Sequence, residues 1–219
     1  MKLKRALGCK WVPSSVVVLI VGFSQLATAG LPDLAVNYMR ANGTVHFRRQ
    51  AFTTGDCAVQ EGCVWKAGNR KLLLVDVGVM NVGKSDLIIG DPNRRPDLFT
   101  WSGCHGHYHL KGLATYRLLT LSGRQVARTY KQGFCLRDDQ PKGPYRGPAK
   151  YTCDYQGISA GWQDVYDASL DCQWVDISGV VPGTYRLEIT VNPNRRFAES
   201  NYSNNRIIIR VVVPRNVYF

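Results

Sequence analysis

Three of the chain's four histidines fall within five residues, in the stretch Cys104-His105-Gly106-His107-Tyr108-His109. Successive residues of a strand project to opposite faces. Written as a strand, the stretch puts His105, His107 and His109 on one face and Tyr108 on the other. Same-face neighbours sit about 6.5–7 Å apart, so three imidazoles can converge on one ion where the strand bends. Imidazole suits copper, zinc, iron and nickel. A zinc hydrolase, a mononuclear iron site and a copper oxidase all fit, each with water in a remaining position that leaves the metal open to chemistry. The bland account is a set of surface histidines on a polar strand. It suits a lone histidine better than a strict alternation in a chain so poor in them. Cys104 is either a further ligand for a soft metal state or half of a disulfide.

Compartment decides which cysteine chemistry applies. Residues 1–29 carry Lys2, Lys4, Arg5 and Lys10, then an apolar run from Ser15 to Leu26, then Ala27-Thr28-Ala29. Charged, apolar and small-x-small regions in that order read as a secretory signal cleaved after Ala29. The apolar run is shorter than the roughly 20 residues of a spanning helix. No later segment is apolar enough to span, so we expect a secreted protein without a transmembrane segment, periplasmic or extracellular. Of seven cysteines, Cys9 leaves with the signal, and Cys57, Cys63, Cys104, Cys135, Cys153 and Cys172 remain. An even number in an exported chain implies disulfides, although spacing cannot choose among their connectivities. The net charge of +12 would suit nucleic acid. Export and the lack of a nucleic-acid motif argue against that partner.

The elements that must position the triplet read as strands. Leu72–Gly83 is rich in β-branched residues and ends in turn chemistry. Thr184–Val191 alternates Tyr185, Leu187, Ile189 and Val191 with polar residues, the period of a half-buried strand. Arg206–Val213 is a third strand, and the polar stretch Asn192–Asn205 between the last two reads as a long hairpin loop. No long amphipathic helix is apparent. Residues 124–171 are rich in Gly, Pro, Tyr and Asp with little periodicity, which predicts a long irregular and functional segment. The stretches DLAVN, VDVGVMNVG and GTYRLEITVNPNRRFAESNYSNN resemble immunoglobulin-like adhesion modules. The expected fold is all-β: one immunoglobulin-like β-sandwich core over residues 30–219, with irregular active-site loops and disulfide staples.

The ordered blocks SGCHGHYHLKGLATYRLL, YKQGFCLRDD and QGISAGWQDVYDASLDCQWVDISGVVPGTYRLEITVNPNRRFAESNYSNN resemble the catalytic domain of lysyl oxidases. The resemblance runs from about Pro32 to Asn205. It implies a copper-dependent amine oxidase that turns primary amines, peptidyl lysine or small amines, into aldehydes with O2, releasing hydrogen peroxide and ammonia. Copper falls to His105, His107 and His109. The lysine tyrosylquinone cofactor falls to Lys131, in the K-x-x-F-C-L stretch, and to Tyr166, six residues before the Cys of DCQW. Without the resemblance, both would read as ordinary surface residues. A base is needed to take the substrate's α-proton, and Asp164, Asp171 and Asp138 remain alternatives. A histidine that some family members carry beyond the triplet is absent here, and Tyr116 stands near its place.

The resemblance also implies the bridges Cys57–Cys104, Cys63–Cys172 and Cys135–Cys153. Two further family bridges are missing; for one of them both partners are gone together, the matching places being near Pro141 and at Trp162. Finally, it implies a calcium site from Asp33, the Leu34 carbonyl, Glu199, Asn201, Asn204 and Asn205, all oxygen ligands. Asn201 replaces a family carboxylate. A different class remains open: a non-enzymatic, metal-binding, immunoglobulin-like cell-surface module.

Overall fold

The computed structural model describes residues 30–129, 134–142 and 147–217. The expected signal, residues 1–29, and the expected cofactor residue Lys131 lie outside them. Regular structure is almost entirely antiparallel strand, as expected. The two α-helices among the described residues are short, Tyr38–Thr44 and Cys57–Gln60. None is long and apolar enough to cross a membrane.

One four-stranded sheet runs Leu34–Val36, Val77–Asn81, Trp162–Tyr166, Gln140–Pro141. Another runs Arg206–Val213, Gly183–Val191, Ala114–Leu119, Gln125–Arg128. Both feed one core. Leu34, Val77 and Val79 come from the first, and Leu118, Leu187, Ile189 and Val211 from the second. This arrangement is compatible with a sandwich. A three-stranded sheet (Trp174–Asp176, Gly68–Leu74, His46–Phe52), the long-range pair of Leu87–Gly90 with Gln156–Ile158, and the hairpin of Phe99–Ser102 with His107–Leu110 complete the fold among the described residues.

The strand expected over Leu72–Gly83 is two strands, Gly68–Leu74 and Val77–Asn81, in different sheets. The break falls at Val75-Asp76, where polar anchors pull the chain over. The Asp76 N–H donates to Thr44 Oγ1 at 2.9 Å, and its carboxylate accepts from the Ala168 N–H at 2.8 Å. An apolar run gives no hint of such a crossing, because both halves are buried. The strand Gly183–Val191 buries Tyr185, Leu187, Ile189 and Val191 as its period predicts. Glu188, on the polar side, is also buried, because Arg117 and Arg206 close over its carboxylate.

Residues 124–171 are less irregular than their composition suggests. They hold four short strands, and Trp162–Tyr166 is an inner strand of the first sheet. There Pro141 pairs directly with Trp162. The places to which the resemblance assigns the missing bridge, near Pro141 and at Trp162, therefore lie on paired strands. The three disulfides join Cys57 to Cys104, Cys63 to Cys172 and Cys135 to Cys153.

Candidate metal centre and its surroundings

The triplet is not one strand. Phe99–Ser102 pairs with His107–Leu110, and Gly103–Gly106 turn between them. His105 sits in the turn, and only His107 and His109 are in the strand. Gly106 has φ +67°, a left-handed conformation that favours glycine. This tight reversal supplies the bend that convergence needs. The rings stand 4.8 to 5.9 Å apart by centroid. His105 Nδ1 lies 3.3 Å from His109 Nε2. His107 Nδ1 donates to the His105 carbonyl at 3.0 Å, which leaves its Nε2 lone pair outward. His105 Nε2 is buried with no hydrogen-bond partner, and His109 is buried. His105 Nδ1, His109 Nε2 and a Glu61 carboxylate oxygen thus face one another, and imidazole with carboxylate is a donor set that fits a metal ion.

Glu61, which the sequence did not single out, gathers with His105 and His109, while the expected ligand His107 stands outside that group. Ligand atoms of Glu61, His105 and His109 all lie within 4.8 Å of one another. The Glu61 carboxylate is 3.6 Å from His105 Nδ1 and accepts from the Ser102 hydroxyl, while Ser102 Oγ accepts the His105 N–H at 3.1 Å. The Cys57–Cys104 bridge ties the segment carrying Glu61 to the histidine turn. A lone acid four residues after Cys57 becomes informative only once that bridge is known. Cys104 is spent in the bridge and is not a ligand.

Tyr166 is reached from the histidines through one ring. Phe134 lies 6.4 Å from His109 and 5.2 Å from Tyr166 by centroid. Tyr166 is buried. Around it Leu110, Leu113, Ala114, Tyr116 and Phe134 leave a cavity of only about 10 Å³, room for one water at most. Tyr116 therefore shares a cavity with Tyr166. Its hydroxyl is held by Gln173 Nε2 at 3.0 Å.

The three aspartates separate cleanly. Asp171 is exposed. Asp138 accepts from the N–H groups of Lys150 and Ser159 and from the Ser159 hydroxyl, the work of a structural acceptor. Asp164, 2% exposed, interacts with the neighbouring Tyr166 phenol and accepts the Arg137 N–H at 3.0 Å, while the Tyr166 hydroxyl donates to the Cys135 carbonyl at 3.3 Å. Burial pushes the Asp164 carboxyl up to about 7 against the lowering effect of the Tyr166 phenol and the Arg137 N–H. Burial, then the neighbouring Asp164, raises the Tyr166 phenol well above its ordinary value.

The expected calcium ligands also come together, although not all as ligands. Glu199 is buried and accepts from the Leu34 N–H, Asn192 Nδ2 and Asn205 Nδ2 at 2.5, 2.5 and 2.7 Å. Asn201 Oδ1 accepts the Ser203 N–H at 2.9 Å. Asn204 Nδ2 donates to Asp33 at 2.7 Å, while Oδ1 of Asn204 and of Asn205 are buried without partners.

Fold and site together define a disulfide-stapled β protein that gathers imidazoles in a hairpin turn, one aromatic ring away from a buried tyrosine–aspartate pair. A family model described as lysyl oxidase matches residues 32–217, and the chain belongs to that family. It is 36% identical over 201 residues to lysyl oxidase homolog 4 of Homo sapiens, covering 87% of this chain and 26% of that protein. It is also 36% identical over 187 residues to the protein-lysine 6-oxidase of Gallus gallus, covering 80% of this chain and 44% of that protein. The chain thus spans less than half the length of these relatives. A solved CARDB domain from Pyrococcus furiosus covers 84% of this chain and 90% of that chain, at 13% identity and a TM-score of 0.32, too slight a likeness to bear on the fold.

Proposed function

We propose that this chain is an exported copper-dependent amine oxidase. It takes a primary amine, O2 and water to an aldehyde, ammonia and hydrogen peroxide. The observation that carries the reading is the succession from the histidine hairpin through Phe134 to the buried Tyr166, with the buried Asp164 on the same strand beside it. His105, His107 and His109 would hold copper, and Lys131 with Tyr166 would form lysine tyrosylquinone. Bound, these groups supply the O2 chemistry and electron sink that ordinary side chains lack.

The chain's own residues supply position and proton handling. Glu61 and Ser102 fix the His105 turn. Asp164, with a value near neutrality, can hold or release a proton beside Tyr166, as general base catalysis requires. Phe134 covers the Tyr166 ring, so an amine reaches that ring only after Phe134 moves. For calcium, Asp33, the Leu34 carbonyl and the two free amide oxygens of Asn204 and Asn205 suit a hard cation. Glu199 and Asn201 are already engaged and serve the loop instead. The leader over residues 1–29 would deliver the chain to the periplasm or beyond.

The test is peptide mapping of protein expressed with copper in air, together with a peroxide assay across several amines. We expect a covalent Lys131–Tyr166 peptide and peroxide release, both lost in Lys131→Ala. Tight metal binding with both residues unmodified would favour the second reading, a non-enzymatic metal-holding module. The small size of the cavity beside Tyr166, and Tyr116 near the place of the absent histidine, support that second reading.

A further inference from the structure

The hairpin that presents His107 and His109 has a reverse face. Trp101 pairs directly with Tyr108 across it, and directly opposed residues share a face. Their rings lie 5.1 Å apart by centroid at 71°, two walls of an open corner. The Tyr108 hydroxyl donates to Asn93 Oδ1 at 3.1 Å, which fixes that wall. Trp101 is 55% exposed, an unusual position for a tryptophan with a core within reach. The corner forms one side of a cavity of about 350 Å³ that Asn93, Cys153 and Asp154 close and that reaches Gly106 and His107. That volume lies within the range of ordinary ligand sites, roughly 300–1,000 Å³.

Charge decides what fits. The chain carries a net +12, yet among the described residues this cavity is lined by a carboxylate and no cation. Asp154 is exposed and has no ion pair among the described residues. The nearby cations are already turned elsewhere: Arg94 faces Asp91, and Arg95 faces Asp97. Two aromatic faces at a steep angle beside a carboxylate attract a cation by ring quadrupole and by Coulomb's law together. Ammonium, carried on an apolar stem, matches both features.

We propose that the Trp101–Tyr108–Asp154 corner is an exosite for an alkylammonium group of the substrate other than the one oxidised. This rests on the amine-oxidase reading and gives it a substrate class: amines bearing a second cation. The far end of a diamine and a neighbouring lysine of a peptide present the same chemistry. The Trp101–Tyr108 wall lies on the reverse face of the metal hairpin and the cavity reaches round to Gly106 and His107, so only a substrate long enough to span from the one to the other uses both.

Binding and turnover test it separately. In the first arm, tetramethylammonium, which has no oxidisable C–H beside a primary amine, is titrated against full-length protein. The Trp101 indole N–H is followed by NMR, with neutral tert-butanol as control. Saturable movement of the Trp101 signal with the cation alone is expected, weakened about threefold or more by Asp154→Asn. An equal response to tert-butanol, or one indifferent to Asp154→Asn, overturns the proposal. In the second arm, Asp154→Asn and Trp101→Ala are expected to raise KM about five- to tenfold for a substrate with two ammonium groups, leaving kcat and KM for a short monoamine unchanged. A rise for lysine-rich peptides but not for diamines assigns the site to peptides, and the converse assigns it to diamines. No rise for either overturns it. If wild-type protein oxidises no amine, the proposed function fails while the NMR arm still decides the cavity.

Discussion

Replacing Asp164 by asparagine should stabilise the protein at alkaline pH while abolishing its turnover. The carboxyl is pushed from 3.8 to about 7 chiefly by burial. Between those values the folded chain keeps a proton that the unfolded chain has lost. Unfolding then releases a proton, and stability falls as pH rises through that window. Below the window the carboxyl is protonated in both states and costs nothing. Above it the cost is complete. At about 1.36 kcal/mol for each tenfold step, the ionised group costs about 4 kcal/mol.

Asparagine never ionises, and its Oδ1 can still accept the Arg137 N–H now bound at 3.0 Å. Urea unfolding with disulfides intact, compared at about pH 4.5 and about pH 8.5, isolates the effect. Groups common to both proteins cancel in the difference. The Asp164→Asn variant should gain about 2–4 kcal/mol relative to wild type between the two conditions, less than the full cost because the site relaxes. Parallel stability curves, or a variant weaker at the higher pH, would refute the burial argument. Loss of peroxide release in the stabilised protein separates the proton-handling role from a structural one.

Two other substitutions test particular contacts. Glu61→Gln keeps the shape beside His105 and Ser102 but removes the charge, and should weaken metal binding about 10–100-fold by chelator competition; unchanged affinity would remove Glu61 from the site. Asp176→Asn breaks a buried pair in which Arg70 Nε and Nη2 both donate to one oxygen, at 2.9 and 2.8 Å. It should cost about 3–5 kcal/mol in thermal or urea unfolding, and a cost below about 1 kcal/mol would mean that water replaces the lost partner.

Alternation made much of this chain legible. Side chains of a strand repeat every two residues, so Tyr185, Leu187, Ile189 and Val191 announced an inward face, and His107 and His109 a shared one. It could not show that His105 belongs to a turn, because alternation does not distinguish a strand from a strand that ends at a glycine. Trp162–Tyr166 was hidden for a related reason. Its residues are nearly all buried, so polar Gln163 and Asp164 point into the interior and the apolar period is lost.

What the sequence determined by itself was chemical inventory and local periodicity: three imidazoles in five residues, six cysteines after the expected leader, an all-β pattern, and the family blocks that singled out Tyr166. Those follow from residue type and near-neighbour spacing. What only the tertiary structure decided was adjacency across distance. Glu61 meets His105, the Cys135 carbonyl accepts from the Tyr166 hydroxyl, and Trp101 faces Tyr108 behind the histidines. The physical reason is that such meetings depend on sheet register, a turn at Gly106 and disulfide closure of long loops. Each is a property of the folded chain as a whole, and none is encoded in the few residues beside the site.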